Sequence, residues 1–144
     1  METTYKNIVI ATDGTEYINK AIDAGLEIAE LTGSTVHAIY VTDSPSVSPT
    51  SSEWEMVEKN IKKEVDNAMK YIREETKKRN ILLKEVSVEG NPAPEIINYS
   101  NVINADLIVV GATGKKTLDR FVLGSVSEKI VRNAKTKVLV VKLK

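Results

Sequence analysis

Three glycines, and the serines that follow the last of them, carry the strongest chemical signal in this 144-residue chain. Gly111 and Gly114 frame the first part; after nine intervening residues Gly124 opens the run Gly124, Ser125, Val126, Ser127. Gly111 follows directly on the apolar run from Leu107 to Val110, where a residue lacking Cβ lets a ligand approach the backbone. Gly114 permits a positive φ and turns successive N–H groups into an anion-binding nest. Gly124 and Ser125 precede a helical pattern, whose first N–H groups and dipole favour phosphate. The hydroxyls of Ser125 and Ser127 can add donors. A polyphosphate held between these two segments meets many donors without a large net positive charge. The plainer alternative makes these turn glycines, with Ser125 a helix N-cap.

The better-known phosphate loops do not fit. A P-loop needs a glycine five positions before its Gly-Lys pair and a hydroxyl residue directly after the lysine. Here Val109 and Lys116 occupy those positions around Gly114 and Lys115. The dinucleotide fingerprint Gly-x-Gly-x-x-Gly is absent from every strand–helix junction. Lys115, Lys116 and Arg120 either screen phosphate charge or keep a loop soluble. Cysteine is absent, which removes thiolate metal sites, thiol nucleophiles and disulfides together. His37 is the single histidine and sits within an apolar strand pattern, so a packing or surface role is expected of it.

The elements that must position these residues follow from periodicity. Short apolar runs at 8–11, 107–110 and 138–141 suit strands buried on both faces, and 35–41 and 82–88 read as further strands. Between them lie helical stripes. Ile18, Ile22, Leu26 and Ala29 end at Gly33, which suits a left-handed C-cap. Trp54, Val57, Ile61, Val65, Ala68 and Ile72 form one face of a long charged helix. Ile96, Ile97 and Val102 or Ile103 follow the Pro92 turn, and Val126, Ile130 and Val131 are expected to share a face in the last helix. Residues 42–52, rich in serine and proline, read as a loop. Strands alternating with helices predict a three-layer α/β/α domain with a parallel sheet and right-handed crossovers. Ligands in such sheets sit beyond the carboxyl ends of the strands. Three of those ends stand out: Ala11, Thr12 and Asp13; Val41 to Asp43; and Gly111 to Gly114. Asp13 is expected either to face the ligand or to cap the next helix.

Composition narrows the partners. Twenty basic residues balance twenty acidic ones, so no global field recommends nucleic acid or an anionic membrane. The apolar runs fall short of a bilayer span, and one soluble cytoplasmic domain over 1–144 is expected. The last strand, bounded by Lys137 and Lys142, is strongly apolar.

The spacing of Gly111, Gly114, Gly124 and Ser125 resembles the signature of the universal stress protein family, in its ATP-binding branch. The Ala-Thr-Asp strand end, the Gly90 to Ala93 turn and the Leu107 to Gly111 strand resemble family counterparts as well. The resemblance implies a five-stranded parallel sheet of order 3-2-1-4-5 and a homodimer through the last strand. It implies ATP, or ADP or AMP, with magnesium or manganese carried on the phosphates. Asp13 would lie near ribose and adenine, Ala11 and Thr12 would line the base pocket, and Val41 would contact adenine through its backbone. Gly111, Ala112, Thr113, Gly114, Lys115, Lys116 and Thr117, with Gly124, Ser125, Val126 and Ser127, would hold ribose and phosphates. Ala11 departs from the proline that some members carry, which modestly reshapes the pocket.

Three functions compete. The first is an ATP-dependent stress or signalling switch with little or no hydrolysis and an unknown signalling partner. The second is a slow ATPase or another adenine-nucleotide enzyme of the same fold, although no Ser-Gly-Gly loop, His-x-Gly-His motif or catalytic base surrounds the glycines. The third is a nucleotide-free dimeric adaptor, against which the intact glycine spacing argues.

Overall fold

The computed structural model describes residues 4–112 and 123–143. In chain order its elements are β1 (Asn7–Ala11), α1 (Asn19–Thr32), β2 (Thr35–Thr42), α2 (Trp54–Lys78), β3 (Leu83–Glu89), α3 (Pro92–Val102), β4 (Leu107–Gly111), α4 (Ser125–Asn133) and β5 (Val138–Val141). The strands form one sheet in the order β3-β2-β1-β4-β5, all neighbours parallel. The expected three-layer fold and strand order are thus observed. Side chains alternate between the faces. Ile8, Ile10, Val36, Ala38 and Val109 point to α1 and α2, whereas Val9, Ile39, Ile108 and Val110 point to α3 and α4.

The central strands β1 and β4 are continuous apolar runs because both of their faces are covered. Helix α1 ends where expected: Gly33 adopts φ 69°, and its N–H bonds the Ala29 carbonyl. The break at Gly90 likewise leads into α3 with Pro92 in its first turn, where a missing N–H costs nothing.

Two stripes differ from expectation. In α4, Val131 is 46% exposed, while Ile130 and Ser127 are buried. The inward face is rotated toward Ser127, and its polarity hid it from an apolar periodicity. In α2 the buried residues are Ala68, Met69, Ile72 and Thr76; Trp54, Val57 and Ile61 are only half-buried and join neither core cluster. At 25 residues, α2 runs about 37 Å, against about 26 Å for the eight-residue β2. Its first turns therefore overshoot the sheet. They stand beyond the carboxyl ends of the strands. In α3, Ile103 packs against the core while Val102 is exposed, which resolves that alternative.

Candidate functional site

The carboxyl ends of β1, β2 and β4 open onto a cleft of about 440 Å³. Ala11, Thr12, Asp13, Val41, Gly111, Gly124, Ser125, Val126 and Ser127 all line it, so one cavity gathers these sequence-predicted residues from four separate segments. Ala112 lies at the end of β4 beside them. Thr113, Gly114, Lys115, Lys116 and Thr117 lie outside the described residues.

At the β1 end the chain is fixed by short polar contacts. Thr12 is buried and donates its N–H to the Ile39 carbonyl at 3.0 Å. Asp13 Oδ1 accepts from both the Thr15 N–H (2.9 Å) and the Thr15 hydroxyl (2.6 Å). This is an Asx turn rather than a cap on α1, whose N-cap position is Ile18. Both bonds fall on one oxygen; Oδ2 accepts none from the described residues.

The β2 end offers backbone. The Ile39 carbonyl points to β1, where it receives Thr12, and Thr42 turns the other way to accept the Gly90 N–H at 2.9 Å. Alternation along a parallel ladder then directs the N–H and C=O of Val41 to the β1 side. Strand β1 stops at Ala11, paired with Ile39, so no strand residue lies opposite Val41 there. A donor and an acceptor face the cleft side by side.

Acidic groups gather at this end. Tyr40 is 8% exposed and donates its hydroxyl to Glu64 Oε1 at 2.5 Å. Burial, the bond to Glu64, and the charges of Glu64, Asp13 and Asp43 all push the Tyr40 phenol well above its usual range. It stays a donor. Glu64 and Asp43 line the cleft beside Asp13.

Among the described residues, the cleft wall at the opposite end is backbone without charge. Gly124 occupies the N-cap position of α4 in an extended conformation, and no side chain caps the helix. The first turn therefore presents its N–H groups at the cleft wall, as an anion site requires. Gly124 donates its own N–H to the Ala112 carbonyl at 2.7 Å. Ser127 is buried, and its hydroxyl donates to the Ala112 and Gly124 carbonyls, each at 3.0 Å. Its proton is thus engaged within the protein, contrary to the expectation that it adds a donor for phosphate. Ser125 is exposed and retains that possibility.

Gly111 also has a different reason from the one expected. A Cβ there would lie 2.9 Å from Ile18 Cδ1 and 3.0 Å from Leu143 Cδ1. Protein side chains, not only a ligand, fill the space beside it. His37 has the expected packing role: it is buried under α3 between the Tyr99 hydroxyl (2.7 Å from Nδ1) and Asn7 Oδ1 (2.9 Å from Nε2). Burial, then the charge of Lys84, lowers its pKa.

Sequence reasoning missed Tyr40, Glu64, Pro92 and Ile96 in the cleft wall. Pro92 carried a usable signal, since a helix that follows a strand's carboxyl end begins at the ligand edge. Glu64 carried none, being one acid among many on α2.

Fold and cleft together define a three-layer α/β domain with its ligand edge at the reversal of strand order, between β1 and β4. The sequence matches the universal stress protein family model over residues 4–142, and the chain belongs to that family. It is 40% identical over 143 residues to universal stress protein MJ0531 of Methanocaldococcus jannaschii, covering 98% of this chain and 84% of that protein. The solved structure of the hypothetical protein MJ0577 is similar at a TM-score of 0.85 and 27% identity, covering 99% of both chains. A universal stress protein crystallised in complex with cAMP shares the fold at a TM-score of 0.73 and 24% identity, covering 99% of this chain and 100% of that one. No described helix is long and apolar enough to cross a membrane.

Proposed function

We propose that this protein binds ATP in the cleft and acts as a nucleotide-dependent stress or signalling switch with little or no hydrolysis. One observation carries the reading: the uncapped N-terminus of α4 faces the free backbone of Val41 across a single cavity. The first end suits phosphate. The second offers the adjacent donor and acceptor that the adenine edge needs, and Ile39, Ile96 and Val110 supply an apolar wall for the ring. Asp13 lines the cleft with Oδ1 held by Thr15, which supports Oδ2 as an acceptor for a ribose hydroxyl. That the fold can seat an adenine nucleotide follows from the cAMP-bound relative.

Among the described residues, no three acidic or histidine side chains converge to hold a metal. Magnesium or manganese would ride on the phosphates. The sequence carries neither a Ser-Gly-Gly loop nor a His-x-Gly-His motif, which supports slow turnover over enzymatic hydrolysis. The half-exposed strand β5 at the sheet edge supports pairing with a second copy in a cytoplasmic homodimer. Small molecules released from the purified protein, identified by mass spectrometry, test the reading together with ATP loss over hours. ATP retained with negligible loss is expected. No bound nucleotide and no titration heat with ATP and magnesium would overturn it, and rapid ADP or AMP formation would make the protein an enzyme.

A further inference from the structure

We infer that Ser127 is a positioning residue: its hydroxyl clamps the N-terminus of α4 onto the end of β4 and so sets the amides that receive phosphate. The inference rests on the nucleotide reading above and deepens it. The chain leaves the sheet at Ala112 and re-enters the described structure beside it, with the Gly124 N–H 2.7 Å from the Ala112 carbonyl. Backbone alone makes that one contact. The Ser127 hydroxyl adds a second, to the same carbonyl at 3.0 Å, and reaches the Gly124 carbonyl at 3.0 Å. One buried side chain thus ties the strand end, the N-cap residue and the third helical position into one unit. The three amides at Ser125, Val126 and Ser127 belong to that unit, so their direction toward the cleft depends on it.

The clamp is separable from folding. Without the hydroxyl, the Ala112 carbonyl still accepts from Gly124 and the Gly124 carbonyl still accepts from the Glu128 N–H at 2.9 Å. No buried acceptor is orphaned, so Ser127→Ala is expected to fold with an intact melting transition. What it loses is the fixed orientation of the amides. An interaction realised only on the phosphates then weakens, while contacts to the base and sugar at the far end of the cleft do not.

Calorimetric titration of the full-length chain with ATP and, separately, adenosine tests this. Ser127→Ala is expected to weaken ATP about fivefold to tenfold, the scale of one lost hydrogen bond, and to leave adenosine within about twofold, below the scale of such a bond. Ser127→Thr, which keeps the hydroxyl, is expected to restore ATP selectivity. In amide exchange, Gly124 loses protection in the alanine variant. An ATP affinity that is unchanged, or that falls in step with adenosine, overturns the clamp while leaving nucleotide binding intact. A wild-type chain that binds neither ligand overturns the nucleotide reading, and the inference with it.

Discussion

The two ends of the cleft hold their shape by opposite means. At the β1–β2 end, side chains do the work: Thr15 fixes the Asp13 carboxylate, and Tyr40 reaches Glu64 on α2. At the β4–α4 end, the surface offered to a ligand is main chain, fixed from behind by Ser127 and by the Gly124 N–H. The first end is acidic, with Asp13, Asp43 and Glu64 along its wall. At the second, the described lining residues, Gly111 and Gly124 to Ser127, carry no formal charge, only the positive end of a helix; Glu128 in its first turn is exposed and does not line the cleft. A ligand that is anionic at one end and rich in donors at the other fits this polarity in one orientation. On the proposed reading, the glycine-serine end would supply affinity for phosphate, and the acidic end would select what else the ligand carries.

The largest effect is expected from reversing the polarity of the phosphate end. Ser125 is exposed in the first position of α4. Ser125→Asp puts a carboxylate on the uncapped helix terminus, which stabilises the helix by about 0.3–1 kcal/mol. The same charge repels phosphate at close range by about 1–4 kcal/mol, a loss of ATP affinity of about fivefold or more. The variant should melt slightly higher and bind ATP far more weakly, with adenosine unaffected. Thermal melts and titration on the same sample check both signs. ATP affinity that holds while the melting temperature rises would place the phosphates elsewhere.

A smaller effect should sharpen the acidic end. Adenosine 3′,5′-bisphosphate and ADP each carry two phosphates, but the former has one on the ribose 3′ oxygen, which the proposed orientation would bring toward Asp13, Asp43 and Glu64. ADP is expected to bind more tightly by about fivefold or more, since like charges at partly solvated sites repel by about 1 kcal/mol or more. Glu64→Gln and Asp43→Asn should each narrow that gap, chiefly by improving the bisphosphate. Competition titrations give the ratio directly; a gap indifferent to both substitutions would remove the acidic wall from specificity.

How much of this was legible in the sequence depends on whether a residue's role was local. Runs such as Leu107 to Val110 and stripes such as Ile22, Leu26 and Ala29 reveal strands, helices and their alternation, because burial imposes periods of 2 and 3.6. The carboxyl-edge rule then brings Asp13, Val41 and Gly111 together from 98 residues of separation. Roles set by tertiary contact were hidden. Gly111 reads as room for a ligand until Ile18 and Leu143 are seen beside it. Ser127 reads as a phosphate donor until its proton is found on two carbonyls. Tyr40 and Glu64 are 24 residues apart, and only the packing of α2 along β2 brings that carboxylate to the cleft.

The Tyr40–Glu64 contact gives the smallest expected effect and the one that separates stability from binding. Tyr40→Phe removes a hydroxyl whose acceptor, Glu64, is exposed and returns to water, so the cost is about 1 kcal/mol rather than that of an orphaned buried charge. The pH dependence has a definite sign. The folded-state phenol titrates well above its unfolded value near 10, so the unfolded chain releases that proton first as pH rises. The stability that Tyr40 contributes is therefore full below pH 10 and falls steadily above it. Tyr71, whose bond to Asp23 pushes it up to about 12, adds a parallel fall that is damped by its solvent exposure. Denaturant midpoints measured from pH 8 to above 10 should thus converge for wild type and Tyr40→Phe, with ATP-free protein used throughout. Curves that stay parallel would mean that the hydroxyl does not hold its proton against Glu64. In that case α2 covers the acidic end without being fastened to it, and the contrast between a side-chain-built end and a backbone-built end would lose its best-defined contact.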